Sequence, residues 1–386
     1  MAYTGYAASD LRNKLATTLP AMIQKPNTAY TEYSIRHDLF NEVLFGEIAA
    51  IEKYTINRDK YAYSPMDFGA YGDGLTHPLS GKYATLAAAQ VDYPHATGLG
   101  DEIDWAAIQL CLNKCQAAGM GVVFLPAGHF IINKPIEILG QNIWFKGSGF
   151  GTIIRQNANV PIIKVGNYVY PGGASSGAGS EGERFSANYV KYFNKISNLR
   201  LISNTPSNTG VVGLHLAGAY VNSFEDLLFE YTHIGVLVDT TCHWNTFNNL
   251  KFGSVYDGIK INGRGDDANW NSTGNIYSGI HVMNFSHTMI YFTGDTFGDA
   301  TISNVNGVGA DVTPRPLAGI FAERTGLGLY ASKIGIANLD VDGNADYVAR
   351  FLSCGDIVLT GWNKGGAVTN IPSFVSGVHV NMFPAS

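Results

Sequence analysis

The sequence predicts an all-β solenoid, in which short parallel strands stack coil upon coil. Glycine accounts for 45 of the 386 residues and charged residues for only 15%, a balance typical of turn-rich β-structure. From Ile143 onward the chain also repeats imperfectly, at intervals of about 21–35 residues, the length expected for one coil of a solenoid.

Each repeat contains two short blocks in which apolar and polar residues alternate. Because side chains alternate across a strand, every second residue of a block is expected to face the interior. The first block carries an Asn, Ser or Asp before its apolar residues and recurs at residues 196–201, 224–229, 247–252, 276–282, 300–302, 334–336 and 357–359. The second block follows at residues 235–238, 258–261, 289–292 and 319–322.

The stretch from Met66 to Ile132 predicts how the solenoid begins. Residues 66–74 (MDFGAYGDG) predict a short strand and a glycine-rich turn. A helix is expected to follow, with Asp101 or Asp104 as its N-cap and Gly119 at its end. Residues 121–132 (GVVFLPAGHFII) then predict a strand and a turn.

This order of turn, helix and strand, with these residues, resembles the opening cap of right-handed parallel β-helix proteins of the pectate-lyase-like superfamily. The similar branch contains rhamnogalacturonase/epimerase-like enzymes and bacteriophage tailspikes. The resemblance implies a single-stranded right-handed parallel β-helix over residues 61–386. It also implies an action on carbohydrate, but it is weaker for the reaction, since this fold hosts lyases, hydrolases, epimerases and non-catalytic binders.

Three segments depart from the repeating pattern. Residues 1–60 carry two helical patterns, which predict a neck that packs against other copies, an adaptor to a larger particle, or a cap over the open end of the solenoid. Residues 75–100 are an insertion between the first turn and the helix. Residues 171–182 (PGGASSGAGSEG) predict a mobile loop.

Composition and charge argue against several functions. The net charge is −6, with no basic cluster, so no nucleic-acid partner is expected. No run of 18 apolar residues predicts a membrane span, and the N-terminus has no apolar segment of a secretory signal. The four cysteines are expected to be buried apolar residues. We therefore expect no metal site and no cofactor, except Ca²⁺ if the reaction is a lyase reaction.

Acidic residues gather where the second block of each repeat ends. Aligning Val238, Ile261, Phe292 and Ala322 places Asp239, Asn262, Thr293 and Glu323 in one column, with Arg264 and Asp295 in the column two residues further along. Successive coils lie about 4.8 Å apart. The candidate catalytic pair therefore comes from Asp239, Asp295 and Glu323, since glycosidases use carboxyl groups about 5 Å (retaining) or 6.5–9.5 Å (inverting) apart.

The loops after these blocks carry candidate sugar-binding residues. His243 and Trp244 follow the block at 235–238, and residues 263–270 (GRGDDANW) follow the next one. An indole can stack on the apolar face of a pyranose, so Trp244 and Trp270 are expected to bind glycan, together with His243. Arg264 can hold a sugar carboxylate. Asp266 and Asp267 are reserve catalytic carboxylates, and Ca²⁺ binding by this pair stays open.

The resemblance and these residues together predict a phage or prophage tailspike-like protein that hydrolyses a bacterial surface polysaccharide: a capsule, an exopolysaccharide or an O-antigen. The polygalacturonase motifs Asn-Thr-Asp, Gly-His-Gly and Arg-Ile-Lys and the epimerase motif Asp-Pro-His are absent from the chain, so plant-pectin chemistry is not expected. Two alternatives stay open: a non-catalytic receptor-binding or structural fibre protein, and a polysaccharide lyase.

The resemblance also carries expectations about assembly. Tailspikes of this kind form homotrimers, so a homotrimer is expected, with a phage baseplate or tail as a further partner. Some tailspikes build their active sites between chains. The expected location is the virion, or the host cytoplasm before assembly.

Overall fold

The computed structural model describes residues 61–166, 191–204, 210–239, 242–263, 272–294, 299–323, 334–352, 356–365, 373–374 and 380–383. The predicted N-terminal helical patterns and the predicted loop at 171–182 lie outside these residues and stay predictions.

Two parallel sheets form the walls of the solenoid. The large sheet has 13 strands: Ala62–Tyr63 (β1), Gly121–Leu125 (β2), Gly128–Ile132 (β3), Ile143–Gly147 (β5), Thr152–Gln156 (β6), Lys195–Ser203 (β9), Ser223–Glu230 (β12), Thr246–Gly253 (β14), Asn275–Phe285 (β16), Ala300–Gly309 (β18), Ile334–Gly343 (β20), Ile357–Lys364 (β22) and Val380–Phe383 (β24).

The second sheet has nine strands: Ile136–Ile138 (β4), Ile163–Val165 (β7), Val212–Ala217 (β10), Ile234–Asp239 (β13), Asp257–Gly263 (β15), Thr288–Gly294 (β17), Ala318–Glu323 (β19), Tyr347–Leu352 (β21) and Ser373–Phe374 (β23). Lys191–Tyr192 (β8) and Ala219–Tyr220 (β11) form a two-stranded sheet. The chain alternates between the large and second sheets, and each strand pairs with its equivalent in the next coil, so the predicted parallel β-helix is confirmed.

The interior is filled by side chains that repeat from coil to coil. Phe224 stacks on Phe247 with ring centroids 5.0 Å apart, and Phe247 stacks on Tyr277 at 4.8 Å. A second stack joins Phe229 and Phe252 at 4.9 Å. All five rings are buried, and each stacked pair is also a cross-strand neighbour in the large sheet. Register and core packing therefore reinforce each other.

A buried asparagine ladder runs through the turns that enter the large sheet. Its members are Asn194, Asn222, Asn245 and Asn275, each at most 2% exposed. The side-chain oxygen of each of the last three accepts the backbone N–H of the preceding member, at 2.8–3.0 Å. Each side-chain N–H donates to a backbone oxygen of the preceding coil or turn. The ladder thus satisfies polar groups that the turns would otherwise leave unpaired in the interior.

A second column of residues bends the strands of the large sheet. Asn198, Asp226, Asn249, Asn304 and Asn338 have φ between 50° and 59°, and Gly279 and Gly361 occupy the equivalent positions at φ 65° and 62°. Asn, Asp and Gly tolerate this left-handed conformation best. This column explains why the first block of many predicted repeats carries Asn or Asp before its apolar residues.

The opening cap is built differently from the prediction in two places. Residues 65–68 form a 3-10 helix, Pro65–Phe68, rather than a strand, because Pro65 starts a tight turn closed by Gly69 at φ 88°. The helix α2, Ile103–Ala118, ends at Gly119 as predicted, but its N-cap residue is Glu102 and makes no side-chain capping bond. The predicted N-cap roles of Asp101 and Asp104 are therefore wrong.

Asp104 instead forms hydrogen bonds that connect the parts of the opening cap. It is 1% exposed, and its carboxylate accepts the backbone N–H groups of Tyr71 at 2.6 Å and Ile131 at 2.9 Å. One carboxylate thus joins the opening turn, the helix and the strand β3. Within the insertion at 75–100, a short helix α1, Leu86–Asp92, packs near the buried Tyr93. Neither described helix is long and apolar enough to span a membrane.

The asparagine ladder yields a stability prediction. Asn245→Ala removes an acceptor used by Asn222 and a donor used by Ala219, which leaves buried polar groups unpaired and should lower the free energy of unfolding by about 2–4 kcal/mol. Urea unfolding measures this loss. The matched control is Asn248→Ala, an exposed position of the strand β14 that follows, which should change stability by less than about 0.5 kcal/mol. Equal unfolding midpoints for the two variants would contradict a structural role of the ladder.

Candidate active site

The outer face of the second sheet carries two of the carboxylates that the sequence singled out, Asp239 and Glu323. Val238 pairs with Ile261, Ile261 with Phe292, and Phe292 with Ala322. The residues that follow them are Asp239, Asn262, Thr293 and Glu323, and these four define the outer wall. The pairing is the one that the sequence alignment predicts, so one column of side chains crosses four coils at the ends of the strands.

Asp239 is held between two neighbouring coils. Asn262 donates its side-chain N–H to one carboxylate oxygen at 3.0 Å. His215 Nε2, from the preceding coil, lies 3.5 Å from the other oxygen. Asp239 is half-buried, so these contacts fix its side chain while part of it still faces outward.

Glu323 is fixed by a tyrosine one coil away. The Tyr291 hydroxyl donates a short hydrogen bond to Glu323 Oε1. Burial, and next this bond to Glu323, raises the pKa of Tyr291 to about 12, so Tyr291 is a neutral donor at physiological pH. Its ring stacks on Phe321 at 5.3 Å, and Lys260 Nζ lies 5.1 Å from its centroid. The carboxylate is therefore oriented by a ring that is itself held on both sides.

Strand spacing limits which carboxylates can act together. Asp239 on β13 and Glu323 on β19 are separated by three strand steps, or about 14 Å at 4.8 Å per step. This exceeds the separation of a glycosidase pair, so within one chain these two do not form the pair. Asp295 lies two strand steps from Asp239 and one from Glu323 in the predicted alignment, but it is outside the described residues. So are Asp266, Asp267, Arg264 and Trp270, and their roles stay predictions.

A ridge of exposed apolar side chains stands at the turns before the large sheet. Phe193, Val221 and Trp244 immediately precede ladder asparagines and have φ of 56°, 53° and 55°. They are 61%, 40% and 56% exposed, and together they define the apolar ridge. Bulky residues rarely adopt this conformation, and such outliers concentrate at functional sites.

Glycine at the next equivalent position makes room for the indole of Trp244. Gly274 has φ 68°, and a Cβ built on it would lie 2.4 Å from a ring carbon of Trp244. The indole therefore lies directly over the turn of the next coil. The ridge also lies close to the outer wall along the chain, since Cys242 Sγ donates to the backbone oxygen of Asp239 at 3.0 Å.

The ring of His243 packs beneath the apolar ridge. Its ring lies 4.7 Å from Tyr220, and Tyr220 lies 5.6 Å from Tyr192. His243 is 8% exposed, and burial lowers its pKa to about 4. This burial argues against the predicted direct contact with a glycan and favours a packing role beneath Trp244.

A buried carboxylate and a histidine on the second sheet escaped the sequence analysis. Asp257 is 2% exposed, and Asp257 Oδ1 lies 2.7 Å from His287 Nδ1 and 2.6 Å from the Thr288 hydroxyl. The His287 ring stacks on Tyr256 at 4.8 Å and meets the Tyr291 ring edge-on at 5.3 Å. Asp257 and His287 are 30 residues apart, so no short motif could reveal them; their signal lies in the coil register.

Within the part of the chain that the structure describes, no three or more His, Cys, Asp or Glu side chains gather as a metal site would require.

The buried imidazole of His243 yields a prediction about acid stability. Because its pKa is about 4 in the folded chain against an ordinary 6.5, the unfolded chain takes up the proton first as the pH falls. His243 should therefore cost up to about 3 kcal/mol of stability between pH 6.5 and pH 4. His243→Phe keeps the ring packing and should flatten this part of the stability profile, measured by urea unfolding at several pH values. Parallel profiles for the native chain and the variant would refute the assignment.

Comparison with known proteins identifies solved structures of similar fold. No curated protein shows significant sequence similarity to the chain. Among solved structures, ORF18 of Geobacillus virus E2 is similar with a TM-score of 0.55 and 15% identity, over 87% of this chain and 64% of its own. The tailspike protein of Acinetobacter phage vB_ApiP_P1 is similar with a TM-score of 0.53 and 14% identity, over 84% of this chain and 54% of its own. The gp42 tailspike of Acinetobacter phage vb_AbaP_AS12 is similar with a TM-score of 0.52 and 14% identity, over 80% of this chain and 46% of its own.

The chain therefore spans less than two thirds of the length of each of these proteins, and at this identity the similarity shows the fold. The sequence itself matches the family described as rhamnogalacturonase A/epimerase, pectate lyase-like, over residues 90–312, which is more than half of the chain. The chain belongs to this pectate-lyase-like family, the branch that its opening cap resembles.

Proposed function

We propose that the protein binds a polysaccharide across its coils and cleaves glycosidic bonds by carboxylate acid/base hydrolysis. The observation that carries this proposal is the outer wall, where Glu323 is held by the Tyr291 hydroxyl in the same column as Asp239. Membership of a rhamnogalacturonase/epimerase-like family supports an action on polysaccharide.

The chemistry assigns different roles to two carboxyl groups. The Glu323 carboxylate accepts a hydrogen bond from the Tyr291 hydroxyl, which stabilises its charged form and suits it to the role of base or nucleophile. Asp295, one coil away in the alignment, is then the acid. The acid protonates the departing glycosidic oxygen as the bond to C1 breaks, and the second carboxylate either takes a proton from the attacking water or attacks C1 itself.

The apolar ridge supplies the binding surface in this proposal. Trp244 exposes its indole beside the turn that follows Asp239, and an aromatic face can stack on the C–H face of a pyranose. Trp270 and Arg264 would complete this surface from the next loop. The glycan would then lie with its cleaved bond at the outer wall.

The biological setting is part of the proposal. Similarity in fold to two phage tailspikes supports a place on a phage tail, with a capsule, exopolysaccharide or O-antigen of a bacterium as the substrate. A homotrimer fits this setting, and a partner chain could contribute to the site. The virion would be the site of action, after synthesis in the host cytoplasm.

Two other functions remain candidates. A receptor-binding protein without catalysis is favoured by the lack of a complete family catalytic motif in the sequence. A lyase would use β-elimination, with Asp266, Asp267 and Arg264 as the residues able to hold Ca²⁺ and an anionic sugar. The assay below separates these three activities by their products.

The carboxylate assignment predicts the effect of two substitutions. Asp295→Asn and Glu323→Gln should each reduce cleavage by about 10²–10⁴-fold, because each removes one proton-transfer group. The purified chain is incubated with a panel of bacterial capsular and exopolysaccharides, and reducing ends, ultraviolet absorbance and product mass are measured together.

The matched control is Asp340→Asn, at an exposed position of the large sheet, which should cleave like the native chain. New reducing ends with water-added mass indicate a hydrolase, and absorbing unsaturated products indicate a lyase. If neither substitution lowers cleavage more than tenfold, the assignment of the pair is wrong.

The ridge predicts a separate effect on binding. In a Glu323→Gln background, where substrate persists, Trp244→Ala should weaken glycan binding by roughly 5–30-fold through lost stacking, measured by isothermal titration calorimetry. Tyr231→Ala is the matched control, since Tyr231 is another exposed aromatic residue, 44% exposed, with a positive φ of 56°. Equal losses of glycan affinity in both variants would show that the apolar ridge is not part of the binding surface.

A further inference from the structure

The Asp257–His287 pair lies on the same sheet as the outer wall. Asp257 begins β15, and its partner in the next coil is Thr288, the first residue of β17. Asp257 is 2% exposed and Thr288 is 0% exposed. The carboxylate of the pair is therefore anchored within the wall of the solenoid, where its position is fixed by strand pairing.

One oxygen of Asp257 fixes the imidazole of His287. Asp257 Oδ1 accepts the Thr288 hydroxyl at 2.6 Å and lies 2.7 Å from His287 Nδ1. Because a carboxylate only accepts hydrogen bonds, His287 Nδ1 carries a proton and donates this bond. A buried group thus sets both the tautomer and the rotation of the imidazole ring.

Ring contacts connect His287 to its neighbours in the sheet. Tyr256, from the preceding coil, stacks on the imidazole with centroids 4.8 Å apart and an angle of 11° between the planes. His233 continues this stack beyond Tyr256 at 4.7 Å. Tyr291 stands at 82° to the imidazole, with centroids 5.3 Å apart. The oriented ring of His287 is therefore packed between the stack and Tyr291.

Tyr291 extends these contacts to the outer wall. Its hydroxyl donates the short hydrogen bond to Glu323 Oε1, so the direction of that bond depends on where the tyrosine ring lies. Phe321 and Lys260 contact this ring from the next and the preceding coil, whereas His287 contributes a ring whose rotation is fixed from inside the solenoid. A continuous set of contacts thus connects the buried carboxylate on β15 to the candidate base on β19, across two strand steps.

We propose that His287, oriented by Asp257, is a positioning residue of the outer wall: it holds Tyr291 where the tyrosine hydroxyl directs the Glu323 carboxylate. This role rests on the function proposed above, in which Glu323 is the base or the nucleophile. Displacement of a reacting group by about 1 Å can cost about a hundredfold in rate. His287 does not touch the substrate in this role, so its loss should lower kcat and leave KM nearly unchanged.

Carbon-13 NMR of the full chain tests the positioning without any substrate. Tyrosine is labelled at Cζ, the carbon that bears the hydroxyl, and the Tyr291 signal is assigned from Tyr291→Phe. Glu323→Gln changes the hydrogen-bond acceptor and should move the Tyr291 signal. His287→Asn still offers Asp257 an N–H donor but removes the ring. In the His287→Asn background, the shift caused by Glu323→Gln should fall to less than half of its size in the native background.

The double substitution is needed because removal of the His287 ring also changes the local ring current at Tyr291. A ring-current change alone would add to the effect of Glu323→Gln and leave the Glu323→Gln shift equal in both backgrounds. Only a coupling between the two positions makes the substitutions non-additive. Unfolding temperatures report whether each variant folds, and His287→Gln is the second variant for the same cycle if His287→Asn does not fold.

Kinetics test the consequence for cleavage, with the polysaccharide that the panel assay identifies. His287→Asn should lower kcat about 10–100-fold and change KM by less than about threefold. The matched control is His233→Asn, the same substitution at the equivalent turn two coils earlier. It should leave kcat within about twofold of the native value and should not reduce the Glu323→Gln shift of Tyr291.

The two measurements distinguish a failed positioning role from a failed hydrolysis. A reduced Glu323→Gln shift in the His287→Asn background would support the positioning role even if the native chain cleaves nothing on the panel, and that result would then count against the hydrolysis alone. An equal shift in both backgrounds overturns the positioning role. A loss of kcat or of the shift that His233→Asn reproduces in full also overturns it, because the effect would then belong to the ring stack in general.

Discussion

The hydrogen bonds of the buried asparagine ladder are the interaction on which the rest of this solenoid depends. A coil that turns into the large sheet must bury backbone N–H and C=O groups, and Asn222, Asn245 and Asn275 satisfy them between coils. Because each ladder bond joins one coil to the next, the ladder fixes the stacking distance and the register together. The stacked rings of Phe224, Phe247 and Tyr277 can then pack in line.

Register, once fixed, places chemistry on the outside of the coils. The outer wall exists because Val238, Ile261, Phe292 and Ala322 are paired partners, so the residues after them form a column. Contacts within the wall, such as Asn262 with Asp239 and Tyr291 with Glu323, join successive coils. The same constraint sets the limit on catalysis, since carboxylates can approach one another only in steps of one strand spacing.

Much of this organisation could be predicted from the sequence, and the reasons for success and failure are physical. The strand pairing followed from apolar alternation, and the end of the helix α2 followed from Gly119, because both signals are local. The N-cap was missed because Asp104 is used over a long range, by Tyr71 and Ile131, where its carboxylate satisfies more buried donors than a cap would.

The residues of the candidate site divide in the same way. Asp239 and Glu323 could be found because they end recognisable blocks, whereas Asp257 and His287 meet only through the fold. The burial of His243 could not be anticipated either, because it depends on Tyr220 from the preceding coil. Local patterns thus predicted the strands, while contacts between coils decided which side chains face solvent.

The left-handed turns before the ladder have a consequence for how this protein can change. At each of these turns the backbone conformation is held by the asparagine that follows, and the side chain of the turn residue points away from the core, as Phe193, Val221 and Trp244 do. The identity of that side chain therefore matters little for packing, and its main effect on folding is a conformational cost that is lowest for Gly, Asn and Asp. Successive coils offer a row of exposed positions, on which recognition of a new ligand could evolve without repacking the interior; only neighbours in the row constrain one another, as Gly274 does by making room for the indole of Trp244.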